Sequence, residues 1–546
     1  MTLGKRTAQV SNEALHQIFT IAQAPDSALG RIEQEMSQNL AGFLNNHIVA
    51  SKNALTDIEQ DFISPHIPEQ PEFVSDHMRH LLDKLVAQSV HTASPSFIGH
   101  MTSALPSFIL PLSKLMVGLN QNLVKVETSK AFTPLERQVL GMMHNLVYHK
   151  EDSFYQQWLH SANHSLGAFC SGGTVANITA LWVARNKLLK AEGSFNGISR
   201  SGLFSALQHY GYKGLVVLVS ERGHYSLKKS ADILGIGQDS VIAIETDENN
   251  RIDCKKLAQK CQELDEQNIK VLAIVGIAGT TETGNVDPLD EMADIAQQYQ
   301  TYFHVDAAWG GATLLSNKHR GLLKGIERAD SVIIDAHKQM YVPMGAGVVL
   351  FKDPSAVADI EHHAEYIVRK GSKDLGSHTL EGSRSGMAML VYASLHIISR
   401  PGYEMLINQA IEKAQYFAEI INQHDDFELI TKPELCILTY RYVPKAIQQL
   451  LAHSDEALQT KVNELLGKLT KFIQKRQRED GRSFVSRTRI KVERYNDEKV
   501  IVFRVVLANP LTSHENLQDI LAEQCVLAQE SEQYLPQLLS VDTKAE

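Results

Sequence analysis

The absences in this chain are informative. Its 546 residues include five cysteines, Cys170, Cys254, Cys261, Cys436 and Cys525. No two form a CxxC pair and the count is odd, so neither a disulfide framework nor a cysteine zinc site is expected, and a reducing cytoplasm fits best. The 23 histidines are scattered without HExxH or similar spacing, so no metal is expected. No run approaches the length that spans a bilayer, and residues 1–10 hold no apolar signal core. A net charge of -10 with both signs interspersed leaves no basic footprint for nucleic acid. Internal repeats and low-complexity tracts are absent. What is present, 43% hydrophobic and 21% charged residues, is the composition of a soluble globular protein, and the length calls for a large domain with a smaller one added.

Periodicity divides the chain. Residues 1–105 read as a helical N-terminal segment, with periodic stretches at 12–22, 29–49 and 72–90 and a proline-bearing break at 64–73. A turn-rich stretch at 91–107, containing Gly99 and His100, precedes helical patterns at 108–121 and 134–148. From Ser165 strands alternate with helices, which argues for an α/β domain with a mostly parallel sheet; residues 106–400 form this large domain. After Phe351 a helix-like segment is expected as far as Tyr366, then a loop at 368–378. Residues 401–546 read as a smaller α+β domain: a long helix from 401 to 424, helices within 446–478, two strands at 483–493 and 499–507, and a last helix capped by Thr512 and Glu515.

Four stretches carry chemistry. Ser171-Gly172-Gly173-Thr174 stands before a helix, where adjacent glycines admit an anion to free N–H groups; it is a phosphate cradle or a plain turn with a threonine cap. His224 follows an apolar strand, at the place where open α/β sheets bind ligands, and is ligand-facing or structural. Asp306 ends another strand and needs a cationic or N–H partner, and no adjacent arginine or lysine supplies one. Lys338 lies between the apolar runs 331–334 and 345–351; it is a Schiff-base or phosphate lysine, or a strand-end lysine reaching solvent. Together these match the needs of an aldehyde cofactor bearing a phosphate and a pyridine ring.

On SGGTVAN (171–177), SERGHYS (220–226), AGTT (278–281), HVDAAWGG (304–311), ADSVIIDAHK (329–338) and LEGSR (380–384), the chain resembles the pyridoxal-phosphate-dependent group II amino-acid decarboxylases of fold type I. It is most similar to the bacterial branch acting on glutamate, aspartate or 2,4-diaminobutyrate, and in particular to aspartate 1-decarboxylases. The resemblance implies that Lys338 binds the cofactor's aldehyde, Asp306 pairs with the ring N–H, His224 stacks on the ring, and Ala308 and Thr281 lie close to it. It further implies that Gly172, Gly173, Thr174 and His337 hold phosphate, that Arg384 takes the substrate's α-carboxylate with His100 nearby, and that Tyr366 is a loop proton donor. A homodimer with shared sites is implied, Ser383 touching the partner's phosphate site. Many relatives have Asn where this chain has Asp335, the 366–384 loop is shorter than in the animal enzymes, and Leu390 stands where lysine is common. The expected activity is α-decarboxylation of L-aspartate or L-glutamate to β-alanine or 4-aminobutyrate. The alternatives are a 2,4-diaminobutyrate decarboxylase and an aminotransferase of the same fold.

Overall fold

Runs such as Leu215–Val219 and Val271–Val275 are apolar on both faces, and such runs become strands only where helices can cover both sides of a sheet. The computed structural model, which describes residues 34, 37, 38, 42, 49–364, 368 and 371–542, contains that sheet. Its strands are β1 (Gly167–Cys170), β2 (Gly214–Ser220), β3 (Val241–Ile244), β4 (Ile269–Ile277), β5 (Tyr302–Asp306), β6 (Ser331–Asp335) and β7 (Gly347–Phe351). They lie in the order β1-β7-β6-β5-β4-β2-β3. Pairings from β3 through β2, β4 and β5 to β6 are parallel, while β7 runs antiparallel to both β6 and β1. The C-terminal ends of β1, β2, β4, β5 and β6 therefore share one edge, and Ser171, Arg222, Ala278, Asp306 and Asp335 arrive there together.

This is the expected α/β, fold type I architecture, with local corrections. Expected helices at 12–22 and over most of 29–49 lie outside the described residues. The 72–90 pattern is a helix only over Val74–Lys84, followed by a short 3-10 turn at Val86–Gln88. Strand β3 was not expected, because four residues carry too little pattern. Beyond Phe351 a 3-10 turn at Ala356–Ile360 replaces the expected helix, and Tyr366 lies outside the described residues.

The C-terminal sheet has four strands rather than two: β8 (Phe427–Thr431), β9 (Ile437–Tyr442), β10 (Ser486–Val492) and β11 (Glu498–Val506), in the order β10-β11-β9-β8. Strand β9 is buried throughout although it contains Arg441, and the charge hides it from a hydrophobic pattern. The last long helix, His514–Gln529, is capped by Ser513, whose Oγ accepts the Asn516 N–H while Asn516 Oδ1 accepts the Ser513 N–H. Thr512 instead donates its hydroxyl to the Pro95 carbonyl. The loop before His100 is stitched to this sheet by Ile98 N–H to Phe484 O and Val506 N–H to Ile98 O. No described helix is long and apolar enough to cross a membrane.

Arg441 shows what holds the smaller sheet. Its guanidinium donates to Glu428 at 2.6 Å and Asn463 at 2.8 Å and stands 4.8 Å from the Tyr495 ring centre. Burial pushes the Glu428 carboxyl up, but Arg441 and Arg494 outweigh it and hold the group below its ordinary value. Removing the carboxylate strands a buried cation, so Glu428→Ala is expected to cost about 3–5 kcal/mol in urea unfolding. Stability within about 1 kcal/mol of the parent would show that this ion pair does not anchor the sheet.

Candidate active site

The shared strand edge borders a cavity of about 480 Å³. Its floor is the turn after β1. There the helix Gly173–Leu188 begins, and its first N–H groups have no partner within the helix. Gly172 and Gly173 are needed for closeness: a Cβ on Gly172 would meet His337 Cε1 at 3.2 Å, and one on Gly173 would meet Asp335 Oδ2 at 2.9 Å. With Thr174 they line a recess that suits an anion.

Asp306 is met by N–H donors rather than by a cation. Oδ2 accepts from Asn177 Nδ2 at 3.0 Å, and Oδ1 from the Ala308 N–H at 3.2 Å. Asn177 is held in turn by His304, whose Nε2 donates to Asn177 Oδ1 at 2.8 Å while Nδ1 accepts from the Ser331 hydroxyl at 2.8 Å. The other amide hydrogen of Asn177 goes to Ser226 Oγ at 3.0 Å, and the Ser226 hydroxyl donates in turn to His224 Nδ1 at 2.8 Å. These donor directions follow from the partners' chemistry, and they leave Asp306 as acceptor only and His224 with its proton on Nε2.

Burial, with little net help from neighbours, keeps the imidazoles neutral. It lowers His304 far below the usual range against the opposing pull of Asp306. It likewise lowers His224, Lys338 adding to the effect while Asp306 and Asp335 oppose it. In His337 burial outweighs Asp335, and in His100 it is reinforced by Arg504 and Lys338.

Lys338 sits on the turn between β6 and β7, with Nζ 3.0 Å from Asp335 Oδ2. Its half-buried amine faces the cavity alongside His224 and His337, so the bare strand-end reading does not describe it. The turn closes through Tyr341, a non-glycine residue at φ 56°, a backbone state costing about 1 kcal/mol or more. The Tyr341 hydroxyl donates to the Ala508 carbonyl at 2.8 Å and holds the turn in place. Thr281, Ala308 and His100 complete the expected residues that line the cavity.

Two expected residues stand outside that lining. Both guanidinium ends of Arg384 are bonded to Glu136, a buried carboxylate on the helix Phe132–Tyr148. Ser383 Oγ accepts from Asn122 at 3.0 Å. Tyr366 lies outside the described residues.

Other participants were not singled out from sequence. Asn177 was quoted within SGGTVAN but given no role, and its bond spans 129 positions. Arg222 lines the cavity, held by Asn250 at 2.8 Å and paired with Glu282 at 3.4 Å. Arg504 of β11 donates to the carbonyls of Thr281 at 2.7 Å and Gly99 at 3.3 Å, while Nη2 has no hydrogen-bond partner among the described residues. An arginine inside an apolar strand was the available signal.

The residues present fit pyridoxal 5'-phosphate. The glycine cradle and helix start suit its phosphate, Asp306 is a pure acceptor for a ring N–H, and Lys338 offers an amine to the aldehyde.

Comparisons with known proteins agree. Residues 58–443 match the model of the pyridoxal-dependent decarboxylase conserved domain. The chain is 65% identical over 538 residues, 98% of each chain, to an aspartate 1-decarboxylase of Aliivibrio fischeri. It is 30% identical to an acidic amino acid decarboxylase of Bos taurus over 67% of each chain. Its fold superposes on mouse CSAD with a TM-score of 0.78 at 24% identity, covering 91% of this chain and 99% of that one. The glutamate decarboxylase domain of a Vibrio parahaemolyticus protein matches with a TM-score of 0.78 at 20% identity, covering 95% of this chain and all of that one. The family match over most of the length, joined to a cavity built for its cofactor, means that this chain belongs to the pyridoxal-phosphate-dependent amino-acid decarboxylases and is a carboxy-lyase of fold type I.

Proposed function

We propose that the enzyme removes the α-carboxylate of L-aspartate to give β-alanine, with L-glutamate the next acidic substrate. The near full-length relative that is an aspartate 1-decarboxylase supports this reading. The structural observation that carries it is Arg504. Burial lowers its pKa to about 10, which still leaves a cation, and an unpartnered guanidinium nitrogen is costly until an acceptor arrives. Arg504 stands behind the cavity lining, braced by Gly99 beside that lining and Thr281 within it, and Arg222, paired with Glu282 at 3.4 Å, lines the cavity as a second cation. An acidic substrate brings two carboxylates to these two groups. We assign Arg384 instead to holding the 380–384 loop, because drawing it to substrate would strand buried Glu136 at a cost of about 3–5 kcal/mol.

Residues 106–400 carry the cofactor in this reading, and residues 401–546, the smaller domain, contribute Arg504. Lys338 binds the aldehyde; Gly172, Gly173 and Thr174, with His337, hold the phosphate; Thr281 and Ala308 lie beside the ring, and His224 covers it. When bound, pyridoxal phosphate supplies the electron sink for the pair released with carbon dioxide. Asp306, whose oxygens accept from Asn177 and Ala308, favours the cationic ring nitrogen by opposite charge. His224, with its proton on Nε2, and Tyr366, a phenol assigned by resemblance, are the candidates to protonate the α-carbon.

A second copy of this chain completes the reading. The helix Ile109–Leu119 exposes Leu110, Leu115, Val117 and Leu119, each more than half accessible, an apolar face that a partner would cover. Ser383 would meet the partner's phosphate site. The five cysteines are unpaired, which supports a cytoplasmic setting.

Carbon dioxide release from aspartate, glutamate and 2,4-diaminobutyrate, with Lys338→Ala as blank, should rank aspartate first. Arg504→Met should lower kcat/KM for acidic substrates roughly tenfold to a hundredfold. Preference for diaminobutyrate, or amino transfer to a keto acid, would sink the proposal. Asn177→Leu should lower kcat by a similar factor with the far-UV spectrum unchanged, because Asp306 loses its side-chain donor; parental kcat would leave the network a packing feature. Light scattering should give twice the 60.8 kDa chain mass, and Leu115→Glu should shift it toward one chain; a monomeric parent would remove the dimer.

A further inference from the structure

Asp335 has no part in the roles set out above. Its side chain is 3% exposed, with Oδ2 3.0 Å from Lys338 Nζ and 3.5 Å from His337 Nε2. Oδ1 has no hydrogen-bond partner among the described residues. The carboxylate lies directly under the cradle: a Cβ on Gly173 would stand 2.9 Å from Oδ2, and one on Gly347 would stand 2.7 Å from Oδ1. A buried carboxylate against an anion site needs either a counterion or a proton. In the cofactor-free chain the counterion is Lys338. Lys338 cannot keep its charge and also attack an aldehyde, since attack requires the neutral amine.

We infer that Asp335 accepts the proton that Lys338 sheds and keeps it as a neutral acid beneath the cradle, so that cofactor loading and Asp335 protonation are one coupled event. The inference rests on the cradle and lysine roles proposed above. An N–H bond of the ammonium breaks and an O–H bond forms on Asp335. The freed nitrogen pair then bonds to the aldehyde carbon, and the two remaining amine hydrogens leave with the aldehyde oxygen as water. An uncharged acid opposes no phosphate dianion, and a hydroxyl gives the orphaned oxygen a hydrogen to donate.

The groups around Asp335 do not take the proton in its place. His337, on the same turn, accepts the Ala346 N–H at Nδ1, so its proton already sits on Nε2 facing Asp335, and burial lowers its basicity. His224, from the turn after β2, is likewise lowered by burial, and Asp306 at the end of β5 is already met by donors. Cys170 on β1 is pushed up by burial to about 12 and stays a thiol. Glu381 accepts the Ser171 N–H at 2.9 Å, and Arg384 is committed to Glu136.

The test uses the full-length protein stripped of cofactor and titrated calorimetrically with pyridoxal 5'-phosphate in two buffers of different ionisation enthalpy. At about pH 7.5 the parent should take up about one more proton per cofactor than Asp335→Asn. A carboxyl whose pKa is raised by loading favours loading below that value and opposes it as pH rises. The parent's affinity relative to the variant should therefore fall by up to about tenfold per pH unit above neutrality. Equal proton counts and parallel pH profiles overturn the inference. Difference infrared spectra of the parent alone should gain a protonated-carboxyl stretch on loading, and its absence is equally fatal, whether or not the variant folds. Pyridoxal lacking the phosphate is the control: if it binds the parent as tightly as the phosphate ester, the cradle reading itself fails and the inference falls with it. Tight phosphate-dependent binding with the same proton count in the parent as in Asp335→Asn sinks the inference alone.

Discussion

A carboxylate at the end of a buried strand must be met by donors, and the centre of this molecule is arranged around meeting Asp306. Its two oxygens take an amide hydrogen from Asn177 and the backbone N–H of Ala308. Because Asn177 offers both faces of its amide, the same side chain fixes His304 and Ser226, and through Ser226 the ring of His224. Elements far apart in sequence, the helix Gly173–Leu188, the turn after β2, and strands β5 and β6, are thereby set in one register by hydrogen bonds that each have a single sensible direction.

The two buried carboxylates of the cavity are held in different ways. Asp306 is satisfied by neutral dipoles and can serve as a fixed charge. Asp335 has a mobile counterion in Lys338 and one bare oxygen, so its charge state follows what happens to the lysine. The neutral imidazoles between them supply shape and oriented hydrogens without adding net charge.

Much of this was legible in the sequence, for physical reasons. Strands β2, β4 and β6 each contain an unbroken apolar run, and the residues after them carry the motifs, so sheet and site could be read together. Strands β8 and β9 could not. The first is partly exposed along its middle, and the second buries Arg441, whose partners Glu428 and Asn463 must be known before a charge makes sense in a core. The commitment of Arg384 was also out of reach, because Glu136 lies 248 positions away on a helix that reads as ordinary amphipathic sequence. Capping by Ser513 rather than Thr512 is a one-residue matter that only the Thr512–Pro95 contact decides.

The bond from Tyr341 to Ala508 also orders events in time. It joins residues 167 positions apart, and it steadies the turn that carries Lys338. A ribosome adding roughly 5–20 residues per second needs on the order of 10–30 s to travel from one to the other. Throughout that interval the lysine exists on a nascent chain whose turn has no anchor, even though the strands on either side of it have already been made. The cofactor's grip is thus among the last features to mature during synthesis, and a chain released early would carry every residue of its lysine motif without the means to hold it still.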